Sequence, residues 1–423
     1  MAPGTSGGRV GLILRSASTV LVIRFAGIAI SLIASLLAAR ALAPAGRGEL
    51  AVMFAVPGLL STVAVLGLDT ANLFFAAQGS GDHRRILRYS ITYAIGVGAA
   101  VTAAAVALAI AFPIVRFGLS VPVFAACTAL TIPLIAGTLL TAAEAGRGRV
   151  VRAIAANAFA LAVYPVGIAA LMLLHRAGPG ELFVVYAASQ VATTAVLVIL
   201  SLRDRASLET AARIGPYLRF AIRANPSALA LLLMVRVQVP LLQTLAGPVA
   251  VGLYATALPL AEVLLIVPTI LTLVLLPRSA RQAVTRGDVI RLVVLTSLFA
   301  AASAVVIGLA APWLIPLLFG DPYAGSVPIL WVLLPGIVLL GAARVAQINM
   351  LARRRFATPT LAAIGGLSVA VIGLLFWIPR LGAVGAALAA TLAFATVAAI
   401  TAVAALPQLL RVLPVRASPP RQP

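Results

Sequence analysis

The chain has 423 residues, of which 62% are hydrophobic and 10% are charged, and its mean hydropathy is +1.14. A soluble domain carries roughly a quarter charged residues, so this composition excludes a soluble globular protein, and it equally excludes a disordered or fibrous chain. All 31 basic residues are arginine, so the chain has no lysine for a Walker A motif. One cysteine, Cys127, and two histidines are too few to build a metal site. We therefore expect no metal centre and no other cofactor.

Twelve membrane-spanning helices are predicted along the chain. A helix needs about 20 mostly apolar residues to cross the hydrocarbon core of a bilayer. The segments that meet this requirement are, in chain order, roughly 14–39, 50–78, 87–112, 119–143, 150–174, 181–202, 217–243, 249–276, 290–318, 326–351, 357–378 and 382–408.

The arginines are distributed unevenly between the two sides of the predicted membrane. The even-numbered connections carry clusters such as Arg84, Arg85 and Arg88, whereas the odd-numbered connections hold few. Because basic residues are retained on the cytoplasmic side, we predict that both termini are cytoplasmic in a multi-pass protein of the cell (plasma or inner) membrane. The net charge of +21 is thereby attributed to topology, and no nucleic-acid partner is expected.

A short motif occurs twice, at a spacing close to half of the chain. Residues 44–51 and 248–255 both read P-x-x-x-G-x-x-A, at an offset of 204. The repeat predicts two pseudo-symmetric six-helix bundles around a central cavity, related by an axis along the membrane normal. We place the bundles at 1–206 and 207–411 and expect 412–423 to be a disordered cytoplasmic tail.

Charged residues inside the predicted spans are the candidate site. A charge at bilayer depth costs at least about 2.5–3.5 kcal/mol, so it usually faces the bundle interior or a hydrated cavity. Arginines outnumber carboxylates here, which favours an anionic cargo. The candidate substrate-binding residues are Arg24, Arg236, Arg344, Asn72 and Gln243, and the candidate ion-coupling residues are Asp69 and Glu262.

Structural roles for the same residues stay open at this point. Arg24 pairing with Asp69 or Glu262 would tie helices together, and Arg344 is close enough to the cytoplasmic end to extend to the interface. Glu262 suits a structural bond as well as proton coupling. Glu144, three residues before Arg147, is expected to form a surface ion pair at a helix end.

Several motifs, in order along the chain, resemble those of the polysaccharide-biosynthesis (Wzx-type) flippases of the multidrug/oligosaccharidyl-lipid/polysaccharide exporter superfamily. The matching segments are 37–51, 66–69, 252–262 with 276–278, 318–325 and 378–389. The resemblance implies a flippase that moves a polyprenyl-pyrophosphate-linked oligosaccharide to the outer leaflet by alternating access, with the lipid bilayer and glycan-assembly enzymes as partners. The lipid II branch typically has two further helices, which points away from a peptidoglycan precursor.

Two other functions compete with this one. A cation-coupled multidrug antiporter of the same superfamily would favour a cavity rich in carboxylates and aromatics, whereas arginines dominate the deep positions and aromatic residues make up 6% of this chain. A membrane enzyme, such as a glycan polymerase or ligase, would need catalytic groups at one membrane face, and no such constellation occurs in the short outer connections. We therefore expect a transporter that is not an enzyme.

The topology is testable with reporter fusions. A green fluorescent protein joined to the C-terminus should fluoresce, and alkaline phosphatase at the same position should be inactive, because the terminus is predicted to be cytoplasmic. Phosphatase inserted after His175, in a predicted outer connection, is the control and should be active. The opposite pattern would contradict the predicted orientation.

Overall fold

A computed structural model of the chain describes residues 26–27, 29–77, 83–202, 221, 226–266, 286–352 and 357–410. Within these ranges the chain forms helices and no strand. Nine of the described helical stretches are long and apolar enough to cross a membrane. The inner half of the first predicted span, including Arg24, the linker at 203–220 and the predicted tail lie outside the described residues.

The N-terminal part comprises residues 29–202. Predicted span 50–78 is divided at Leu66 and Gly67, which have positive φ values of 47° and 79°, and predicted span 119–143 is divided at Leu130. The helices are α1 (Ala29–Ala41), α2 (Pro44–Val65), α3 (Leu68–Ala77), α4 (His83–Ala111), α5 (Val121–Ala129), α6 (Thr131–Gly146), α7 (Val150–Leu173) and α8 (Pro179–Leu202).

The C-terminal part comprises residues 226–410. Two of its helices contain a non-helical glycine, Gly247 in Gln238–Glu262 and Gly382 in Ala357–Leu410, each with positive φ. These breaks fall where two pairs of predicted spans meet, although the count of twelve and the two-bundle boundary stay predictions. The helices are α9 (Pro226–Arg236), α10 (Gln238–Glu262), α11 (Arg286–Phe319), α12 (Ser326–Ala352) and α13 (Ala357–Leu410).

The buried core is continuous across the contact between the two parts. The largest cluster of buried apolar side chains lies mainly in the C-terminal part, around Tyr254, Ile337 and Phe394, and it includes Val52 and Val56 of α2. The remaining buried clusters lie in the N-terminal part, apart from Ala221 in one of them. The large cluster also includes Ala39, Ala109 and Phe124, so α1, α2, α4 and α5 all contribute to the core of the other part.

The two copies of the P-x-x-x-G motif pack against each other where α2 crosses α10. A Cβ atom on Gly48 would lie 1.8 Å from the carbonyl oxygen of Pro248, and one on Gly252 would lie 1.8 Å from the carbonyl oxygen of Pro44. The contact is reciprocal, as expected for two halves related by a pseudo-twofold axis. Small residues permit such a backbone approach between membrane helices. We call the helix ends near Pro44 and Pro248 the outer ends, following the predicted topology.

Adding a methyl group at this crossing should therefore destabilise the fold. Overpacking typically costs about 1–3 kcal/mol, so Gly48→Ala or Gly252→Ala should lower the thermal unfolding midpoint of the protein in detergent. Gly96→Ala in α4 is the matched control, since nothing lies within 4 Å of a Cβ built there. The control should be neutral or slightly stabilising, because alanine has the higher helix propensity. Equal midpoints for all three variants would contradict the packing argument.

Candidate functional site

Hydrogen bonds join the outer ends of the two parts on both sides of the crossing. Arg40, at the end of α1, donates from Nε to the carbonyl of Leu318 and from Nη2 to that of Leu317, both at 2.8 Å. In the opposite direction, the Tyr323 hydroxyl donates to the carbonyls of Ala39 at 3.1 Å and Leu42 at 2.7 Å. We call Arg40, Tyr323 and their carbonyl partners the outer latch.

The latch uses groups that helix ends leave unsatisfied. The last carbonyls of a helix have no partner within the helix, so each part supplies acceptors at the end of one helix and the other part supplies the donor. Burial raises the pKa of the Tyr323 hydroxyl to about 12, against the opposing influence of the Arg47 charge. The hydroxyl therefore stays protonated, and able to donate, at any physiological pH.

The two parts also meet along α2 beyond the crossing. At Gly58 the Arg236 guanidinium lies against the α2 backbone, with Nη1 3.0 Å from the place a Cβ would occupy. Further along, Ala221 is buried in one cluster with Ala64 and Val65 at the end of α2. Helix α3, which continues beyond α2, packs on α6 and α4 of its own part. The outer latch and the crossing of α2 with α10 therefore hold the outer ends of the two parts together.

Three of the predicted site residues lie within electrostatic range in the C-terminal part. Glu262 is close enough to Arg236 and to Arg344 for their charges to interact, although no ion pair joins them in the described parts of the chain. The side chains of Arg236 and Glu262 are exposed and that of Arg344 is half-buried. We call these residues the arginine–glutamate group. With two cations and one carboxylate, it carries a net positive charge.

The other predicted substrate contacts lie elsewhere. Asn72 is fully buried and donates to Ser90 Oγ at 2.9 Å and to the Leu139 carbonyl at 2.8 Å, so the geometry gives it a role in packing α3 against α4 and α6. Gln243 lies near the outer end, where its amide nitrogen faces Gly118 of the N-terminal part. Its buried Oε1 has no hydrogen-bond partner among the described residues. Neither side chain belongs to the arginine–glutamate group.

Asp69 lines a separate cavity of about 430 Å³ inside the N-terminal part. Its Oδ1 atom is buried and has no hydrogen-bond partner in the described ranges. Helices α3, α6, α7 and α8 form the walls, and most of the lining polar groups are neutral oxygens and amides. The polar residues are Asp69, Thr70, Thr138, Thr141, Asn157, Gln190, Thr193 and Thr194.

The predicted pair of Glu144 with Arg147 at a helix end is confirmed, but its predicted surface location was wrong, because this carboxylate is buried. It is 1% exposed, accepts a hydrogen bond from Ser201 Oγ at 3.0 Å, and lies 3.7–4.0 Å from the guanidinium groups of Arg147, Arg149 and Arg152. Helix spacing suggested the Arg147 pair but gave no signal for Ser201 on α8. The outer latch was likewise not foreseen from the sequence, since its partners are about 280 residues apart.

The fold is that of known membrane transporters. Over 92% of this chain and 87% of the other, it superimposes on the lipid II flippase MurJ in an inward closed conformation, with a TM-score of 0.74 at 14% identity. An inward-facing MATE-family multidrug resistance transporter matches over 90% of this chain and 94% of that chain, with a TM-score of 0.73 at 14% identity.

A third similar structure differs in the polarity of its binding pocket. It is a transporter of the multidrug/oligosaccharidyl-lipid/polysaccharide exporter (MOP) superfamily from Pyrococcus furiosus, for which a reversed polarity of the binding pocket suggests a different function. The match covers 94% of this chain and 95% of the other, with a TM-score of 0.58 at 14% identity.

No family model matches the sequence, and no curated protein matches it. At these identities the comparisons show the fold alone, and this fold is consistent with the predicted multi-pass membrane protein.

Weakening the outer latch should favour opening on the outer side. Losing a hydrogen bond costs about 0.5–1.5 kcal/mol, so Arg40→Gln or Tyr323→Phe should raise the outward-open population about two- to tenfold. Spin labels on cysteines placed at Ile114 and Leu381, both exposed near the outer ends, in a Cys127→Ala background, would report the change as a longer distance.

The matched control for the latch experiment is Arg380→Gln. Arg380 also donates to a backbone carbonyl, that of Phe376, at 2.7 Å, but this acceptor belongs to its own helix. The control should leave the distance distribution unchanged. If Arg40→Gln and Tyr323→Phe behave like Arg380→Gln, the latch does not hold the outer side closed.

Proposed function

We propose that the protein is a flippase that moves a polyprenyl-pyrophosphate-linked oligosaccharide from the inner to the outer leaflet of the cell membrane. The observation that supports this proposal is the arginine–glutamate group, in which Arg236 and Arg344 outnumber the one nearby carboxylate. A site of this polarity favours an anion over an organic cation. The MurJ neighbour is itself a lipid flippase, which fits a lipid-linked cargo on this fold.

The chemistry of the cargo suits the two arginines. A guanidinium presents rigid paired donors that match phosphate oxygens in a bidentate manner, and charge-assisted hydrogen bonds are stronger than neutral ones. Arg236 is on α9 and Arg344 is on α12, so a diphosphate between them would be held from two helices. Arg24, which lies outside the described residues, would add a third cation from the first predicted span.

Glu262 gives the group a means of releasing what it holds. When the carboxylate is charged and no cargo is present, it offsets part of the positive charge of Arg236 and Arg344. An arriving diphosphate competes with it for the same guanidinium groups, and the carboxylate recovers them on release. Proton uptake at Glu262 would strengthen binding of the anion, because it would remove the competing negative charge.

Transport would follow by alternating access between the two parts. The outer latch and the Gly48–Gly252 crossing close the outer side, so the cargo would enter from the cytoplasmic side and leave once the latch opens. An inside-negative potential favours outward movement of an anion by about 2.3 kcal/mol per charge per 100 mV. The sugar would cross in the hydrated space while the lipid tail stays in the bilayer.

A cation-coupled multidrug antiporter is the second candidate function. The MATE-family neighbour favours it, as does the cavity at Asp69, whose buried Oδ1 has no partner in the described part of the chain. In either function, Asp69 and Glu262 are the candidate carboxylates for exchanging a proton or a sodium ion. The sign of the charge that the central group accepts separates the two candidates.

Deletion of the gene in its host should cause one lipid-linked oligosaccharide to accumulate on the cytoplasmic side. Mass spectrometry of extracted polyprenyl lipids would identify it. The wild-type gene should reverse the accumulation, whereas Arg236→Gln and Arg344→Gln should not, because each loses charge-assisted bonds worth about 1.5–3 kcal/mol, or roughly tenfold or more in transport.

The control for this experiment is again Arg380→Gln, which removes an arginine near the outer surface and should complement fully. A normal lipid profile in a strain with no redundant flippase would contradict the flippase proposal. Increased drug susceptibility of that strain, restored by the wild-type gene, would support the antiporter instead.

A further inference from the structure

A further arginine, Arg47, lies away from the arginine–glutamate group and is buried without a carboxylate partner. Arg47, in the first turn of α2, is 8% exposed. Its Nη2 atom donates to Ser35 Oγ at 2.6 Å, while its Nε atom is buried and has no hydrogen-bond partner in the residues that the structure describes. No carboxylate lies within ion-pair distance of it in those ranges. A buried charge in this condition is strongly unfavourable.

The side chains around Arg47 have donor hydrogens for which no acceptor is present among the described residues. The Tyr164 hydroxyl on α7 is also buried without a partner among the described residues, and Tyr164 and Arg47 interact electrostatically. Ser35 Oγ uses a lone pair to accept from Arg47, so its own proton remains available to donate. The guanidinium group of Arg47 can donate hydrogen bonds but cannot accept one. The missing group is therefore an acceptor that carries negative charge and several oxygen atoms.

The position of Arg47 relates it to the central group. Arg47 precedes Gly58, the contact point of Arg236, by eleven residues on α2, which is close to three full helical turns and about 16 Å along the axis. The two positions therefore share a face of α2, with Arg47 nearer the outer end. Tyr186 lies between them, because its ring packs edge-to-face with that of Tyr164 at a centroid distance of 5.6 Å and its hydroxyl is within electrostatic range of Arg236.

The outer latch covers this position in the closed state. Tyr323 interacts electrostatically with Arg47 while its hydroxyl is held by the carbonyls of Ala39 and Leu42. Opening the latch would move Tyr323 away and expose Arg47 from the outer side.

We propose that Arg47, Tyr164 and Ser35 form a second oxyanion site, which binds a phosphate-type group once the outer latch opens. This inference rests on the proposed function in one respect, the identity of the ligand: it is the diphosphate of the lipid-linked cargo, received from Arg236 and Arg344 before release. The donors themselves recognise any phosphate-type oxyanion, so free phosphate or pyrophosphate is the alternative source. The site makes outward transport a transfer between two anion sites instead of a single release.

The test uses the full chain in nanodiscs, with Arg40→Gln and Tyr323→Phe combined to weaken the latch. Titration with inorganic pyrophosphate, followed by calorimetry and by ³¹P resonance broadening, should reveal two classes of site. Adding Arg47→Gln should weaken one class at least tenfold and leave the other unchanged. Adding Arg236→Gln with Arg344→Gln should do the reverse, and Arg380→Gln should alter neither. A single class that Arg47→Gln does not affect would overturn the second site.

A second variant and a stability measurement separate binding from a structural role. Arg47→Lys keeps the charge but loses the bidentate geometry, so it should bind pyrophosphate at an affinity between those of the wild type and Arg47→Gln. Arg47→Gln should also keep or raise the unfolding midpoint in the absence of ligand, because it removes an unpaired buried charge. A midpoint lowered by several degrees, with pyrophosphate binding intact, would show that Arg47 is structural and would overturn the proposal.

The ligand source is resolved by competition. Polyprenyl diphosphate incorporated in the nanodisc should displace pyrophosphate from both classes of site if the cargo proposal is right. If the lipid displaces neither class while Arg47→Gln still weakens pyrophosphate binding, the second site stands with a free oxyanion as its ligand and the flippase proposal fails. If the lipid binds but Arg47→Gln has no effect on either ligand, the flippase proposal stands and the second site fails.

Discussion

The backbone-to-backbone contact between Gly48 and Gly252 is the constraint on which the rest of the arrangement depends. Each glycine makes room for a carbonyl of the opposite motif, that of Pro248 or Pro44, and any side chain larger than hydrogen would push α2 and α10 apart. Because the helices cross so closely, Arg40 and Tyr323 come within hydrogen-bond distance of carbonyls in the opposite part. The same approach brings Arg236 against Gly58. A helix crossing thus determines both how the outer side closes and where the central charge lies.

The arginines described above differ in whether a nearby carboxylate balances their charge. At the inner end of α6, Arg147, Arg149 and Arg152 surround the buried Glu144, so their charges have a partner. Arg47 has no ion pair in the described ranges, and Arg236 and Arg344 share one carboxylate. In an apolar medium an uncompensated charge is costly and is commonly retained for function. In the proposals made above, the arginines around Glu144 hold helices together, whereas Arg47, Arg236 and Arg344 bind an anion.

A shared fold does not decide what this protein carries. The solved neighbours include a lipid II flippase and a multidrug transporter at closely similar TM-scores of 0.74 and 0.73, so one architecture supports cargoes of different chemistry. Function on a common fold is set by the side chains of the site. Here those side chains combine two arginines with one carboxylate in the C-terminal part, and a polar cavity with Asp69 in the N-terminal part. Under the proposed function, the first feature would bind the anionic cargo and the second would bind a coupling cation.

The sequence by itself determined the membrane class, the approximate positions of the spans, the motif repeat and the excess of intramembrane arginine over carboxylate. These properties are local or statistical, because apolar length and arginine count do not depend on which helix packs where. The tertiary structure decided which of the residues meet. It joined Arg236, Glu262 and Arg344, assigned Asn72 to helix packing, placed Gln243 near the outer end, buried Glu144, and put Tyr323 against the end of α1. Those outcomes depend on contacts between segments tens to hundreds of residues apart, and helical periodicity specifies the face a residue occupies but not the helix that the face meets.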